Sequence, residues 1–131
     1  MPFFAGEIFV SDVQKKPVLD QTGEEIGKLK DIVVAGGDPF PAVTALVVAS
    51  GRATYVIPWD MINLFNRRVI SVIVTRSSLT PSAPASNDIL ICRDILDKQI
   101  VDINGAKLVR VNDLELGDVK GRLSLVASDI G

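Results

Sequence analysis

A chain of 131 residues, 47% of them hydrophobic, is long enough for one domain or two very small ones around a working core, and general disorder is excluded. A net charge of −2 and an isoelectric point near 5.0 supply no attraction for a polyanion, which argues against nucleic acid as the main partner. Histidine is absent and cysteine occurs once, at Cys92, so the commonest general base, metal ligand and pH switch are missing and no intrachain disulfide can form.

In chain order, residues 1–7 (MPFFAGE) lack the charged start of a secretory signal, and Glu7 interrupts the apolar run. Apolar residues then come in short β-branched runs bounded by Gly, Pro and Asp, which predicts strands at 17–20, 28–34, 42–49, 53–58 and 69–75. Turns fall at 21–24, 36–39 and 50–52, with a short helical or irregular segment around 60–66. Five closely spaced strands joined by tight turns predict a small barrel. Residues 76–88 (RSSLTPSAPASND) are Ser- and Pro-rich and read as a linker. Beyond it come a brief helical turn at 94–97 and strands at 99–103, 107–116 and 122–128. No apolar run approaches the roughly 20 residues that span a bilayer. With a lone cysteine, this gives an expectation of a cytoplasmic chain without direct membrane insertion.

The second set of elements repeats the first. Shifted by 82 positions, Asp12, Lys16, Asp20, Gly23 and Asp31 fall on Asp94, Lys98, Asp102, Gly105 and Asp113, and the apolar positions between them agree in kind. Aligning 125–128 (LVAS) with 47–50 (VVAS) changes the offset to 78, so the second hairpin is expected to be four residues shorter. Counterparts of 53–58 and 69–75 are missing after Gly131, and a longer polypeptide is expected.

Residues 17–23 (PVLDQTG), 26–32 (IGKLKDI) and 56–59 (VIPW) follow the order of turn, long strand and Pro-Trp strand end that marks the PRC-barrel, and the stretch 10–75 resembles that family. The resemblance implies a mainly β fold of tandem PRC-barrel-like small β-barrels, the second incomplete: 1–75 as the first unit, 76–88 as the linker and 89–131 as the second. Residues 93–102 (RDILDKQIVD) with 108–114 (LVRVNDL) further resemble the amino-terminal region of bacterial proteins that join PRC-barrel repeats to MgtE-type magnesium-transporter and CBS domains. That likeness implies later domains of the same polypeptide as partners. The family's magnesium-sensing residues lie in those later domains, so no metal ligand is carried onto this chain.

Asp31 and Asp113 are the leading candidate residues. Strand alternation sets Asp31 on the face of Leu29 and Val33, and Asp113 on the face of Val109 and Val111. Each carboxylate therefore needs a partner, and backbone amides at a bulge or turn are expected ahead of a metal. Asp12 and Asp94 suit helix amino caps, and Asp20 and Asp102 open turns closed by Gly23 and Gly105. A cation loop would need several ligands at fixed spacing, which Asp12, Asp20, Asp94, Asp97 and Asp102 do not supply. Trp59 is expected to plug one end of the core. Cys92 reads as a small buried hydrophobe, and the spacing of Gly23 and Gly27 reads as turn and strand geometry.

No catalytic, cofactor or metal site is expected. The chain reads as a non-catalytic cytoplasmic interaction or regulatory module of a magnesium-transporter-like protein. The alternative is a RimM-like role in ribosome assembly, and a carboxylate hydrolase finds no pocket in the sequence. Self-association as a homodimer is expected through residues 107–131, where an edge lacks its neighbour.

Overall fold

The computed structural model describes residues 7–36, 39–102 and 107–130. It is mainly β. The chain runs through β1 (Ile8–Phe9), the single-turn helix α1 (Val10–Val13), β2 (Pro17–Leu19), β3 (Glu25–Ala35), β4 (Ala42–Ser50), β5 (Ala53–Pro58), β6 (Ile62–Phe65) and β7 (Ile70–Val72). It continues through β8 (Ile89–Leu90), the single-turn helix α2 (Ile91–Asp94), β9 (Gln99–Asp102), β10 (Lys107–Val119) and β11 (Arg122–Ile130). Short 3-10 turns follow β5 at Trp59–Met61 and β7 at Arg76–Ser78. The segment expected to be helical or irregular thus holds a strand. Ile62 and Phe65 both enter the core from it, and the single 3-10 turn before it suffices to turn the chain.

One sheet path crosses the whole chain in the order β1-β10-β11-β4-β3-β2-β7-β6, with β5 on β4, β8 on β3 and β9 on β10. The long strands β3 and β10 organise it in the same way. β3 pairs with β4 along one edge, while β2 and β8 share the other. β10 pairs with β11 along one edge, while β9 and β1 share the other. Each set of elements therefore lends its first short strand to the long strand of the other set: Ile8 lies opposite Leu116, and Leu90 opposite Val33. The two sets meet between β4 and β11, where Ala42 faces Ser124. These two residues are 82 positions apart, so a local pseudo-two-fold axis passes between them.

The constant shift extends to the irregularities. Bulges interrupt the β3–β4 ladder between Leu29 and Asp31 and between Val33 and Val34, and the β10–β11 ladder between Val111 and Asp113 and between Glu115 and Leu116. Ala35 opposite Ala42 corresponds to Gly117 opposite Ser124, again at 82. The expected shortening of the second hairpin is thus corrected. No residues are lost; β10 and β11 stay paired out to Val119 and Arg122 and close on a two-residue turn in which Lys120 has φ 55° and Gly121 φ 79°. The misleading match came from the run 125–128, whose small and β-branched residues fit more than one register.

The main core lies between the two long hairpins, with Ile26, Leu29, Ile32 and Leu46 from one and Val111, Leu114, Leu116 and Leu123 from the other. Phe65 closes it, and Trp59 packs edge-on against Phe65, with ring centroids 5.5 Å apart at 73°. A smaller apolar patch on the outer face of the first hairpin joins Val33, Ala45, Val47 and Leu90, with Val56 of β5 against it. The segment expected to be a linker is strapped to β5: the Ser82 amide donates to the Thr54 carbonyl at 2.8 Å, and the Val56 amide donates to the Ser82 hydroxyl at 3.0 Å.

Candidate functional site

The two bulges decide where the leading carboxylates point. Leu29 faces Val48 and Asp31 faces Val47, so Lys30 is the extra residue and strand alternation breaks there. Asp31 consequently shares a face with Val33 but not with Leu29. The same break at Asn112 takes Asp113 off the face of Val111. Both placements correct the expectation from simple alternation.

From that position each carboxylate reaches the helix of the other set of elements. Asp31 is buried, at 5% exposure, and accepts from the amides of Cys92 at 2.8 Å and Arg93 at 3.0 Å, the second and third residues of α2. It also accepts from the Ile32 amide at 2.7 Å. Asp113, half-buried, accepts from the Ser11 amide at 3.1 Å, from the Ser11 hydroxyl and from the Leu114 amide at 2.8 Å. An amino cap normally supplies such an acceptor from its own side chain. Here the caps are Phe9 and Leu90, which have no polar side chain, and the acceptor comes from a strand distant in sequence, 102 residues from Ser11 in one case and 61 from Cys92 in the other. Asp12 and Asp94, expected as caps, instead lie inside the helices and reach back to the amides of Phe9 at 3.3 Å and Leu90 at 2.9 Å. Asp12 makes the other half of a capping box and Asp94 does the same from one residue further on, which leaves the cap position itself free to be apolar.

Asp20 forms the second cluster. One of its oxygens accepts from the Thr22 amide at 2.8 Å, the Thr22 hydroxyl at 2.7 Å and the Glu24 amide at 2.9 Å, and the other accepts from the Arg76 amide at 2.8 Å. Gly23, at φ 88°, supplies the left-handed residue that this turn requires. The Arg76 amide first, then the Thr22 hydroxyl, then the Glu24 and Thr22 amides hold the carboxyl down at about 2, against a smaller upward push from burial. The turn thereby ties β2 to the segment that leaves β7. An open cleft of about 540 Å³ borders it, with Tyr55, Thr75 and Arg76 on its wall. Arg76 is engaged with the Glu25 carbonyl at 3.2 Å and lies 3.7 Å from Glu24. Asp102, the counterpart of Asp20, ends β9 opposite Lys107, and its side chain lies outside the described residues.

Cys92, expected as a small buried hydrophobe, is half-buried, and its amide donates to Asp31. Burial, then the neighbouring Asp31 carboxylate, push its thiol up to about 12. A thiol so strongly protonated is a poor nucleophile. Asp94 is held down at about 2, chiefly by the Arg93 guanidinium 2.8 Å away and then by the Leu90 amide.

The structure does not gather the four candidates whose side chains it describes into one centre. Asp31 and Asp113 each hold a different helix, although both raise the Cys92 thiol, while Asp20 closes a separate turn and Trp59 packs on Phe65. Among the described residues no group of three His, Cys, Asp or Glu side chains is arranged to hold a metal ion, and no buried side-chain polar atom lacks a hydrogen-bond partner. Ser11, Ser82 and Arg76 were missed by sequence reasoning. Only Thr22 carried a local signal, since Asp-x-Thr-Gly is a recognisable side-chain-stabilised turn.

No curated protein matches the chain. The family model described as PRC-barrel domain matches residues 5–75, more than half of the sequence and the whole run from β1 to β7. On that match, and with the mainly β architecture beneath it, the chain belongs to the PRC-barrel family.

Proposed function

We propose that the chain is a non-catalytic interaction and regulatory module in which residues 89–131 form a second, shortened PRC-type unit. Its partners are later domains of the same polypeptide, the intracellular and CBS domains of an MgtE-type magnesium transporter, in the cytoplasm of a bacterium. The supporting observation is the use to which the carboxylates are put. Asp31, Asp113 and Asp20 each accept three or more hydrogen bonds from the chain's own amides and hydroxyls, which commits Asp31 and Asp113 to joining the two sets of elements and Asp20 to closing its turn. A body locked in this way suits a role in presenting a surface. Among the described residues no helix is long and apolar enough to cross a membrane, so a membrane protein using this module would need spans from elsewhere.

Calorimetric titration of the purified chain with the isolated intracellular and CBS domains of an MgtE-type transporter tests the reading, and saturable binding is expected. Heats indistinguishable from dilution, together with saturable binding to small ribosomal subunits, would replace it with the RimM-like alternative.

A further inference from the structure

The molecule contains an occupied and an open version of the same site. On the first hairpin, the outer edge of β4 from Ala45 to Ser50 is paired by β5, and Val56 of that strand closes an apolar patch with Val33, Ala45, Val47 and Leu90. The constant shift of 82 carries Val33 to Glu115 and Ala45 to Ala127, and the ladder confirms the equivalence because Val33 faces Ala45 and Glu115 faces Ala127. Phe9, opposite Glu115, takes the place that Leu90 holds opposite Val33. Among the described residues nothing takes the place of β5. The outer edge of β11 is engaged only near its start, where Ser124 meets Ala42 and the Leu125 amide donates to the Pro41 carbonyl at 2.9 Å. Among the described residues that edge carries no strand from Ala127 onward, and on the sheet face that runs from it across β10 to β1 lies a hollow of about 340 Å³ lined by Phe9, Glu115, Ala127 and Ser128. Phe9 is 37% exposed there.

We infer that the edge of β11 from Ala127 to Ile130, with the hollow on the adjoining sheet face, is a docking site for the same edge of a second copy of the chain. Two features favour this occupant. An antiparallel pairing of two identical edges closes both at once and leaves no template for further growth, whereas any other strand pairing would leave a second edge open. The chain also already makes a contact of this kind within itself, since β4 and β11 approach antiparallel at the equivalent residues Ala42 and Ser124. The pairing is short, so the association is weak and concentration-dependent. The inference does not rest on the transporter reading.

Sedimentation of the intact chain over a concentration series, combined with amide exchange at its two extremes, tests the site. The mass is expected to rise from 14.1 kDa toward twice that value. Amides of residues 127–130 should slow as it does. Ala127→Lys, at an exposed position, should weaken association by at least about ten-fold, with an unchanged circular dichroism spectrum. Phe9→Ser should act in the same direction. Ile73→Ser, which removes an exposed apolar side chain elsewhere, should leave association as it is. A monomer at every concentration overturns the inference, as does a dimer protected elsewhere or one indifferent to Ala127→Lys. Binding of a peptide reproducing residues 52–59 to a chain that stays monomeric would give the edge to a foreign strand and equally overturn it.

Discussion

At the level of single side chains, this molecule spends its acidic residues on backbone amides. Asp31→Asn keeps the shape but weakens charge-assisted bonds to Cys92 and Arg93, at an expected loss of about 1.5–3 kcal/mol in unfolding free energy by denaturant titration. Asp113→Asn should cost less, because its site is half open to water that can take over the freed amides. Neither variant nor the wild type should change its melting temperature with magnesium. A magnesium-dependent rise abolished by Asp31→Asn would show that the site binds the ion. Asp20 sets a pH dependence. Its folded-state pKa near 2 lies below the ordinary 3.8, so its contribution is complete above about pH 4 and is lost as pH falls toward 2. Asp94 titrates in the same window. Asp20→Asn should flatten the decline of stability between pH 4 and 2, as followed by circular dichroism. An unchanged slope would mean that the turn opens before the carboxyl titrates.

Among the elements, β3 carries the most constraints. A Cβ on Gly27 would lie 2.3 Å from the Ala49 carbonyl oxygen and 2.9 Å from its carbon, and backbone on a neighbouring strand cannot step aside as a side chain can. Gly27→Ala should therefore lower stability by about 1–3 kcal/mol through overpacking, whereas Gly36→Ala, with nothing within 4 Å, should be close to neutral. Equal effects would show that β3 and β4 can separate locally. The legibility of the sequence divides along the same lines. The mainly β class, the turn at Asp20 to Gly23 and the recurrence of Asp31 at Asp113 could be read directly, because each depends on residues close in sequence. The bulges at Lys30 and Asn112 could not, since a bulge is a mismatch between two strands and leaves no mark in either one alone. For the same reason the caps were assigned to Asp12 and Asp94. The true acceptors come from strands whose distance no local pattern encodes, and Ser11 and Ser82 were overlooked with them.

For the molecule as a whole, the exchange of β1 and β8 and the paired caps make the two sets of elements one cooperative body. Trp59 belongs to the first set and packs on Phe65, whereas far-ultraviolet dichroism reports on the strands of both, and the two denaturation curves should coincide. An earlier dichroism transition, with Trp59 unmoved, would show that 89–131 unfolds by itself. Cleavage at a protease site introduced between Ala83 and Ser86 should leave two fragments that elute together, because the pairing across the molecule does not pass through that segment. Their separation on a sizing column would show that covalent connection is what keeps the units in place.

The trans caps also impose an order of events on synthesis. Ser11 finds its acceptor 102 residues later in the chain, so a ribosome adding 5–20 residues per second leaves the first helix waiting roughly 5–20 s for Asp113. During that interval Ile8 has no Leu116 to pair with, and a strand made long before its partner is among the last to be secured. A nascent chain arrested before Asp113 should accordingly expose its amino-terminal strand to proteolysis, and one released beyond Ile130 should not.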